Sequence, residues 1–326
     1  MKAERIARLL IIVFAIGLPV IAVLARSGGN GGAIEVHARV ADEGGWLPGD
    51  LTTRVGEPLQ LRLTSDDVVH GFAVGQAEWP SYDVLPGKVT EATLIFDRPG
   101  KYQFYCTRWC GPNHWRMRGT IEVTGSLSET AQVEKPLYVT LGLDIDAPHE
   151  SEVIPAERPS SERGAAVAKN LPARYFELDL YRTRAPVEVW RELRADPWAN
   201  GLDDQQVWDS VAFIWRSNTN AARLAQGAQL YAQNCAACHG ETGQGDGVMA
   251  DSLKQSASSS MSHSEHAMTG PSDFTDPRKM LGASSAVLHG KMVRGGMGTG
   301  MPYWGPIFTD DQLWSLVDYL WAFQFE

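Results

Sequence analysis

The sequence is poor in cysteine and in positive charge. Its 326 residues include only 4 cysteines, and 29 Lys and Arg against 39 Asp and Glu give a formal net charge of −10. Because binding to nucleic acid requires clustered Lys and Arg, nucleic acid is excluded as an expected partner. The cysteines form two close pairs, so none is left over for a structural disulfide.

Long apolar runs are also scarce, and the exception lies near the N-terminus. Residues 9–25, LLIIVFAIGLPVIAVLA, are unbroken by charge and approach the length of a membrane-spanning helix. Three basic residues precede this run: Lys2, Arg5 and Arg8. Positive charge before a single span keeps the N-terminus inside. We therefore predict a membrane anchor at residues 1–27 with the remainder exported; a cleaved signal peptide is the alternative.

Residues 33–126 have the pattern of a small β-sandwich. Short segments of alternating apolar and polar residues recur, separated by Pro-Gly turns. These segments are Ile34–Val40, Leu59–Thr64, Ala92–Phe96, Tyr102–Tyr105 and Thr120–Val123. This length and spacing of strands is typical of two packed sheets, so we predict one β-sandwich domain.

The rest of the chain is predicted to contain a linker and an all-α domain. Residues 127–217 begin with a stretch rich in Pro, Ser, Ala and charge, which predicts a linker. Residues 218–326 read as helices. Arg223–Asn234 is amphipathic, and Asp310–Phe323 has one apolar face with a capping residue at its start.

Soft metal ligands follow one another in the pattern Cys106-x3-Cys110-x3-His114-x2-Met117. Thiolate, imidazole and thioether together favour copper over magnesium or calcium. One cysteine with histidine and methionine would suit a mononuclear site, whereas two thiolates can bridge two coppers that each need a histidine. His70 is the candidate for the second histidine. Structural zinc is the alternative for two nearby cysteines with histidine.

At these residues the chain resembles the CuA domain of cytochrome c oxidase subunit II. The matching segments are Val68-Val-His-Gly-Phe72, Val84-Leu-Pro-Gly87, Arg98-Pro-Gly-Lys-Tyr102, the cysteine segment above and Gly119-Thr-Ile121. The resemblance implies a cupredoxin-like fold with a dinuclear copper centre bridged by Cys106 and Cys110. It implies one nitrogen ligand per copper, from His70 and His114, and a weak ligand at Met117.

Arg108 departs from the pattern of the family. The resemblance implies that this residue binds copper through its backbone carbonyl. Many members have Glu here, whose side chain also reaches a magnesium site, and Arg cannot bind magnesium. The single predicted anchor also differs from the two-helix hairpin of many subunits II and resembles the one-helix B-type oxidases.

Cys235-Ala-Ala-Cys238-His239 is the attachment motif of a covalent c-type haem. The two thiols add to the haem vinyl groups, and His239 is the proximal iron ligand. A glycine-rich loop follows the motif, and residues 221–326 resemble a class I cytochrome c throughout. The predicted sixth ligand is a methionine, which raises the redox potential relative to a second histidine.

Met301 is the predicted axial methionine among four candidates. It is followed by Pro302 and lies in a glycine-rich loop that is free to approach the iron. Met297 is the alternative. We expect Met280 and Met292 to pack within helices instead.

A weaker feature is an internal similarity between residues 160–217 and the end of the chain. Gln206–Trp215, QVWDSVAFIW, resembles Gln312–Trp321, QLWSLVDYLW. Upstream, Asp196-Pro-Trp-Ala lies where Met301-Pro-Tyr-Trp lies in the later segment. Because residues 160–217 contain no cysteine or methionine, we interpret them as a decayed, haem-free half of a cytochrome domain. Chance likeness of two amphipathic helices is the alternative.

A haem c and a CuA centre on one exported chain predict electron transfer. The expected order is an external donor, haem c, CuA and then a membrane-embedded haem–copper catalytic subunit that reduces oxygen. The chain would be the electron-input subunit of a cytochrome c oxidase, because its sequence offers no open metal site with room for a substrate. It would lie at the cell membrane as a single-pass protein, with its soluble domains on the periplasmic or extracellular side.

The donor and the acceptor leave alternatives open. The donor would be a cytochrome c or a quinol-oxidising complex, and the acidic charge suits a small basic carrier. The chain could instead serve a nitric oxide reductase, which in some cases also uses CuA. It could also be a free-standing, membrane-tethered electron shuttle.

Overall fold

The computed structural model describes residues 32–77, 79–111, 113–125, 135–253, 270–296 and 300–326. Over these ranges the protein has a β-rich N-terminal domain followed by a helical region. No helix within these ranges is long and apolar enough to cross a membrane. The anchor predicted at residues 1–27 lies outside them, as does Met297.

The N-terminal domain is a sandwich of two sheets, which confirms the β-sandwich part of the predicted fold class. Its strands are β1 (Ile34–Ala38), β2 (Trp46–Leu47), β3 (Asp50–Arg54), β4 (Pro58–Ser65), β5 (His70–Val74), β6 (Tyr82–Val84), β7 (Val89–Ile95), β8 (Gly100–Cys106) and β9 (Arg118–Thr124). One sheet has the order β2-β1-β4-β7 and the other β3-β9-β8-β5-β6. The pairs β1–β4 and β3–β9 are parallel, and the other neighbours are antiparallel.

Alternate side chains of both sheets fill the space between them. Strand β4 buries its three leucines and turns most of its other residues toward solvent, as the period of two in a strand requires. Trp46 packs edge-on against Phe72 and Phe104, with ring centroids 5.6 and 5.7 Å away. Its ring also lies 6.3 Å from that of His70. The aromatic core of the sandwich therefore extends to the predicted copper ligands.

The helical region begins well before residue 218. Its helices are α1 (Leu137–Thr140), α2 (Ser161–Val167), α3 (Leu178–Thr183), α4 (Pro186–Ala195), α5 (Asp204–Ser217), α6 (Ala221–Asn234), α7 (Ala236–His239), α8 (Pro277–Met280), α9 (Ser285–Arg294) and α10 (Asp310–Trp321). Helices α2 to α5 lie within residues 160–217, the segment interpreted above as a decayed cytochrome half, and α1 lies in the stretch before it that was expected to be linker. Helices α3 to α5 share one hydrophobic core with α6, α9 and α10.

Helix α2 crosses α5 at a glycine. A Cβ atom on Gly164 would collide with the backbone carbonyl of Asp209 and with Phe213. The same two helices are tied by Arg163, whose Nε donates to Asp209 Oδ2 at 2.8 Å. A residue without a side chain is therefore required where the two helices touch.

Helix α6 crosses α10 in the same way. A Cβ atom on Gly227 would collide with the backbone carbonyl of Ser315 and with the Cβ atom of Tyr319. In the repeated segments, Ser315 and Tyr319 occupy the positions of Asp209 and Phe213. Both crossings therefore use one glycine against a carbonyl and an aromatic residue at matching places.

The starts of α5 and α10 also match. Both helices begin with a capping box. The side chain of the N-cap residue accepts a hydrogen bond from the backbone N–H of the third helical residue, whose side chain in turn accepts one from the backbone N–H of the N-cap residue. In α5 the pair is Asp203 and Gln206, and in α10 it is Thr309 and Gln312. These residues again lie at corresponding positions of the repeat.

The two halves meet through equivalent residues. Trp215 at the end of α5 and Trp321 at the end of α10 contact each other, with ring centroids 6.0 Å apart. Contact between matching residues of two copies is expected when a two-fold axis relates the copies. Tyr181 adds a second tie, because its hydroxyl donates to the buried carboxylate of Asp318 at 2.5 Å.

The sandwich and the helical region touch along the β5–β8–β9 face. The backbone N–H of Gln76 donates to the carbonyl of Ile307 at 2.9 Å, and its side-chain amide donates to the carbonyl of Gly305 at 2.6 Å. A Cβ atom on Gly75 would lie 2.5 Å from the carbonyl of Pro306. Close approach of the two backbones therefore depends on this glycine.

Candidate copper and haem centres

Neighbouring strands position the predicted copper ligands. Strands β5 and β8 are antiparallel, with Phe72 opposite Cys106. His70 is the first residue of β5, and Cys106 is the last residue of β8. Met117 directly precedes β9. Three strand ends therefore meet at one edge of the sandwich.

The Cys106 thiol is surrounded by predicted ligands. Its Sγ lies 3.9 Å from Cys110 Sγ and 3.8 Å from His70 Nδ1. The backbone carbonyl of Arg108 lies 3.2 Å from the same sulfur. The side chain of Arg108 points elsewhere, because its Nε donates to Asp83 Oδ1 at 2.8 Å. Only the backbone of Arg108 faces the thiols.

The Cys110 thiol has its own pair of neighbours. Its Sγ lies 3.4 Å from His114 Nδ1 and 3.3 Å from Met117 Sδ. Each sulfur thus has one imidazole nitrogen beside it. All six copper ligands predicted from the sequence converge on one place, and the atoms of His70, Cys106 and Cys110 lie within 4.8 Å of one another.

Asp67 is a functional residue that the sequence reasoning missed. Its Oδ1 lies 2.7 Å from His70 Nε2, so the other nitrogen of the ring faces Cys106. Burial alone would raise the pKa of Asp67, but hydrogen bonds from His70 and from the backbone of Val40 and Val68 hold it below its usual value. The spacing Asp67-x2-His70 was the available signal, since ligating histidines commonly bond to a carboxylate through their second nitrogen.

The pKa values of the two thiols are shifted in opposite directions. The hydrogen bond from Cys110, aided by His114, His70 and the backbone N–H of Gly71, lowers the pKa of Cys106 to about 3 although burial opposes this. The same contact with Cys106, together with burial, raises the pKa of Cys110. These contacts favour the thiolate form of Cys106, which is the form that ligates metals.

The haem motif lies at the end of helix α6 and forms the short helix α7. His239 Nδ1 donates to the backbone carbonyl of Ser272 at 3.0 Å, which leaves Nε2 as the free acceptor. The ring stacks on Phe274, with centroids 4.5 Å apart and planes 22° apart. Burial lowers the pKa of His239, so the imidazole is neutral and able to bind a metal.

A tight loop follows His239 and is closed by backbone contacts. The hydroxyl of Tyr231 donates to the carbonyl of Gly240 at 2.7 Å, and the N–H of Gly245 donates to the carbonyl of His239 at 2.8 Å. Gly245 has φ +75°, and a Cβ atom there would lie 2.5 Å from the carbonyl of Pro271. A residue with a side chain would open this loop.

The methionine candidates lie in different surroundings. Met280 and Met292 are buried in the helical core, at 3 % and 6 % exposure, as expected of packing residues. Met301 is partly buried against that core, and its carbonyl accepts a hydrogen bond from the N–H of Gly296 at 3.2 Å. Met297 lies outside the described residues.

Two known families match separate parts of the chain. Residues 49–124 match the family model of the periplasmic domain of cytochrome c oxidase subunit II. Residues 224–324 match the family model of cytochrome c. The chain joins a subunit II periplasmic domain to a cytochrome c domain. The fusion predicted from the sequence is thereby confirmed.

Similar proteins agree over the subunit II domain. Two sequences named cytochrome c oxidase subunit 2 from Thermus thermophilus are each 38% identical over 79 residues, or 24% of this chain. This chain covers only 58% and 46% of their lengths. The crystal structure of the periplasmic domain of subunit II of cytochrome oxidase of Bradyrhizobium japonicum is 26% identical, with a TM-score of 0.22. That match covers 24% of this chain and 55% of the other.

The two domains identify the cofactors as CuA copper and haem c, and the donor atoms fit both. In the subunit II domain two sulfurs lie between two imidazole nitrogens, with a thioether and a carbonyl alongside. Two shared thiolates suit a copper pair, and the thioether favours copper over structural zinc. In the cytochrome c domain the orientation of His239 leaves the nitrogen that an iron ligand needs.

Proposed function

We propose that the protein is the electron-input subunit of a haem–copper respiratory oxidase. It accepts electrons from an external donor at the cytochrome c domain, moves them to the subunit II domain and delivers them to a membrane-embedded catalytic subunit. The observation that supports this most strongly is the presence of both centres on one chain, in domains that contact each other directly.

The ligand assignment follows from the distances around the two thiols. Cys106 and Cys110 would hold the copper pair through their thiolates, and His70 and His114 would supply one nitrogen each. Met117 is the weak thioether ligand. The carbonyl of Arg108 completes the set, supported by its 3.2 Å distance from the Cys106 sulfur.

The haem assignment uses the motif at the end of α6. Cys235 and Cys238 would hold the haem through thioether bonds, and His239 would bind its iron through Nε2, with Met301 as the other protein ligand. Bound haem c and CuA each supply reversible one-electron redox chemistry.

The fold contributes rigidity to the copper centre. Three ligands lie at or beside strand ends, and Asp67 fixes the ring of His70. A ligand held by its neighbours moves little when the charge of the metal changes, which favours fast electron transfer. The centre binds no substrate and makes no new bonds.

The membrane arrangement combines the family match with the sequence. The match to a periplasmic domain supports an outer location for the soluble domains. Residues 9–25 form the single-pass anchor and keep the chain beside its catalytic subunit. The electron donor is a cytochrome c or a quinol-oxidising complex, docking on the outer side.

We also propose that residues 160–217 are a haem-free copy of the cytochrome fold. The segment Leu171-Pro-Ala-Arg-Tyr175 resembles Gly270-Pro-Ser-Asp-Phe274, so Tyr175 matches Phe274, the ring on which His239 stacks. The guanidinium of Arg174 lies 4.6 Å from the centre of the Tyr175 ring. Arg174 Nη2 also donates to Asp196 Oδ2 at 3.1 Å, and Asp196 matches Met301. Arg174 thus lies over the Tyr175 ring as His239 lies over the matching ring in the later copy, and its partner Asp196 stands at the position of Met301.

The function is tested on the intact complex, isolated from membranes through a tag on this chain. Oxygen and nitric oxide consumption are measured with ascorbate and a mediator as the electron source. Rapid oxygen uptake is the expected result. Nitric oxide turnover without oxygen uptake would assign the chain to a nitric oxide reductase, and no catalytic subunit in the isolate would make it a free shuttle. The haem content should be one per chain and zero in Cys235→Ser.

A further inference from the structure

Two side chains behind the copper ligands point toward the cytochrome c domain. Tyr105 and Arg118 are direct partners across strands β8 and β9. Their neighbours Cys106 and Met117 are buried on the copper side. Because successive side chains of a strand point to opposite faces, Tyr105 and Arg118 emerge on the other face of the sheet. Tyr105 packs there against the helical core.

Arg118 makes the most extensive of these contacts. Its Nη1 donates to the backbone carbonyl of Tyr303 at 2.9 Å. Its guanidinium carbon lies 5.0 Å from the ring centre of Tyr303 and 5.2 Å from that of Trp304, within the range of cation–π attraction. On the same sheet face, Gln103 Nε2 donates to the hydroxyl of Tyr303 at 3.3 Å.

The contact joins the loops of the two centres. Arg118 directly follows Met117, the thioether ligand proposed for copper, and is joined to it by a peptide bond. Tyr303 is two residues after Met301, the axial ligand proposed for haem. A continuous path therefore runs from one ligand through Arg118, across one hydrogen bond and along the backbone to the other ligand. The path contains no through-space gap.

Stability alone does not account for an arginine here. No carboxylate in the described part of the chain forms an ion pair with Arg118, and its Nη2 has no hydrogen-bond partner there. Burial of a charged group without a carboxylate partner costs stability, and an apolar side chain would fill the same space without that cost. The geometry instead suits a connection between the two loops.

We propose that Arg118 is a positioning residue for internal electron transfer, holding the Met301 loop against the copper loop and providing the hydrogen-bonded step between them. This inference rests on the proposed function, in which electrons pass from haem c to CuA. It adds that this transfer depends on the Arg118 to Tyr303 contact. Neither the potential nor the ligation of either centre depends on it.

The test is photoreduction of the full-length chain carrying both cofactors. A light-activated reductant injects electrons, and electron redistribution between the centres is followed by the haem band and the near-infrared copper band. The variant is Arg118→Met, which keeps the length of the side chain but removes the donor. We expect redistribution to slow several-fold, because the hydrogen-bonded step from Arg118 to Tyr303 is replaced by a through-space step. Both spectra and both midpoint potentials should be unchanged.

Arg116→Met is the matched control. Arg116 flanks Met117 on the other side and is exposed, so this variant removes the same charge near the same ligand and should transfer at the wild-type rate. Arg118→Lys should recover part of the rate, because lysine can still donate to the Tyr303 carbonyl. If packing were the only role, methionine would match or exceed lysine.

Two results would overturn the inference: wild-type redistribution in Arg118→Met, or equal slowing in Arg116→Met. If Arg118→Met loses its copper band, Arg118→Lys is compared with a copper-retaining Arg118→Leu variant, which has no donor. Equal rates in these two variants would count against the inference. Oxygen uptake by the wild-type complex is measured in parallel. The absence of oxygen uptake would contradict the proposed function. The rates of electron redistribution between haem and copper would still test the role of Arg118.

Discussion

Asp67 holds His70 through a hydrogen bond of 2.7 Å between Oδ1 and Nε2. The bond fixes the direction of the imidazole, so that Nδ1 faces the Cys106 thiol at 3.8 Å. Asp67 is itself fixed by the backbone N–H groups of Val40 and Val68. The first copper ligand proposed in the chain is therefore oriented by a carboxylate that lies outside the family motif.

Asp67→Ala should weaken copper binding without removing it. Loss of a carboxylate that orients a ligating histidine typically lowers metal affinity by about 10–100-fold. Copper affinity is measured by competition with a chelator while the near-infrared band is followed. Asp66→Ala is the control, since Asp66 pairs with His37 and Arg39 instead. Equal affinity in both variants would contradict the role of Asp67.

His114→Ala should abolish the mixed-valence copper centre while the haem stays attached. The imidazole of His114 lies 3.4 Å from Cys110 Sγ and is the nitrogen ligand beside this sulfur in the assignment proposed here. Optical and electron paramagnetic resonance spectra of the copper-loaded protein report the outcome. Persistence of the wild-type CuA bands would refute the ligand assignment.

Met301→Ala should lower the haem potential and open the iron to carbon monoxide. A methionine ligand raises the potential relative to histidine or water, and its loss leaves one iron position free. Redox titration and carbon monoxide difference spectra provide the measurement. Met297→Ala is the matched control and should behave as wild type. If Met297→Ala gives both effects instead, Met297 is the axial ligand.

Gly164→Ala should destabilise the protein, although alanine normally favours a helix. In an unobstructed helix this change stabilises by about 0.5–1 kcal/mol. Here the added Cβ atom collides with the carbonyl of Asp209, and overpacking of this kind costs about 1–3 kcal/mol. Chemical unfolding of the full-length chain gives the sign of the change in its free energy of unfolding. A gain in stability would show that α2 and α5 do not cross closely, and would weaken the case for a second cytochrome-like unit.

The chemistry of the centres could be predicted from the sequence because their ligands lie close together in the chain. Cys106, Cys110, His114 and Met117 occupy one loop, and their spacing alone implied a shared site. The sandwich was also predictable, since its longer strands alternate clearly. Strands β2, β3, β5 and β6 were missed. Strands β2 and β6 have too few residues for a measurable period, and β5 is buried along its whole length and so does not alternate.

The features that could not be predicted from the sequence depend on contacts between residues that are far apart in the chain. Helices α2 to α4 are short and lie in a stretch of mixed composition, so packing against the later helices stabilises them more than propensity does. Arg118 resembles any polar residue on a strand until the fold places Tyr303 beside it. In the sequence, the proposed duplication was visible only as a weak similarity between two segments. The matching helix crossings at Gly164 and Gly227 strengthen the case for it.

The central claim is that electrons reach the catalytic subunit through haem c and then CuA. The most direct measurement is oxygen uptake by the intact complex carrying Cys106→Ser, with the redox state of the haem followed at the same time. We predict that the donor still reduces the haem while oxygen uptake stops. Oxygen uptake near the wild-type rate in a complex without a copper band would contradict the account, because electrons would then bypass the copper centre.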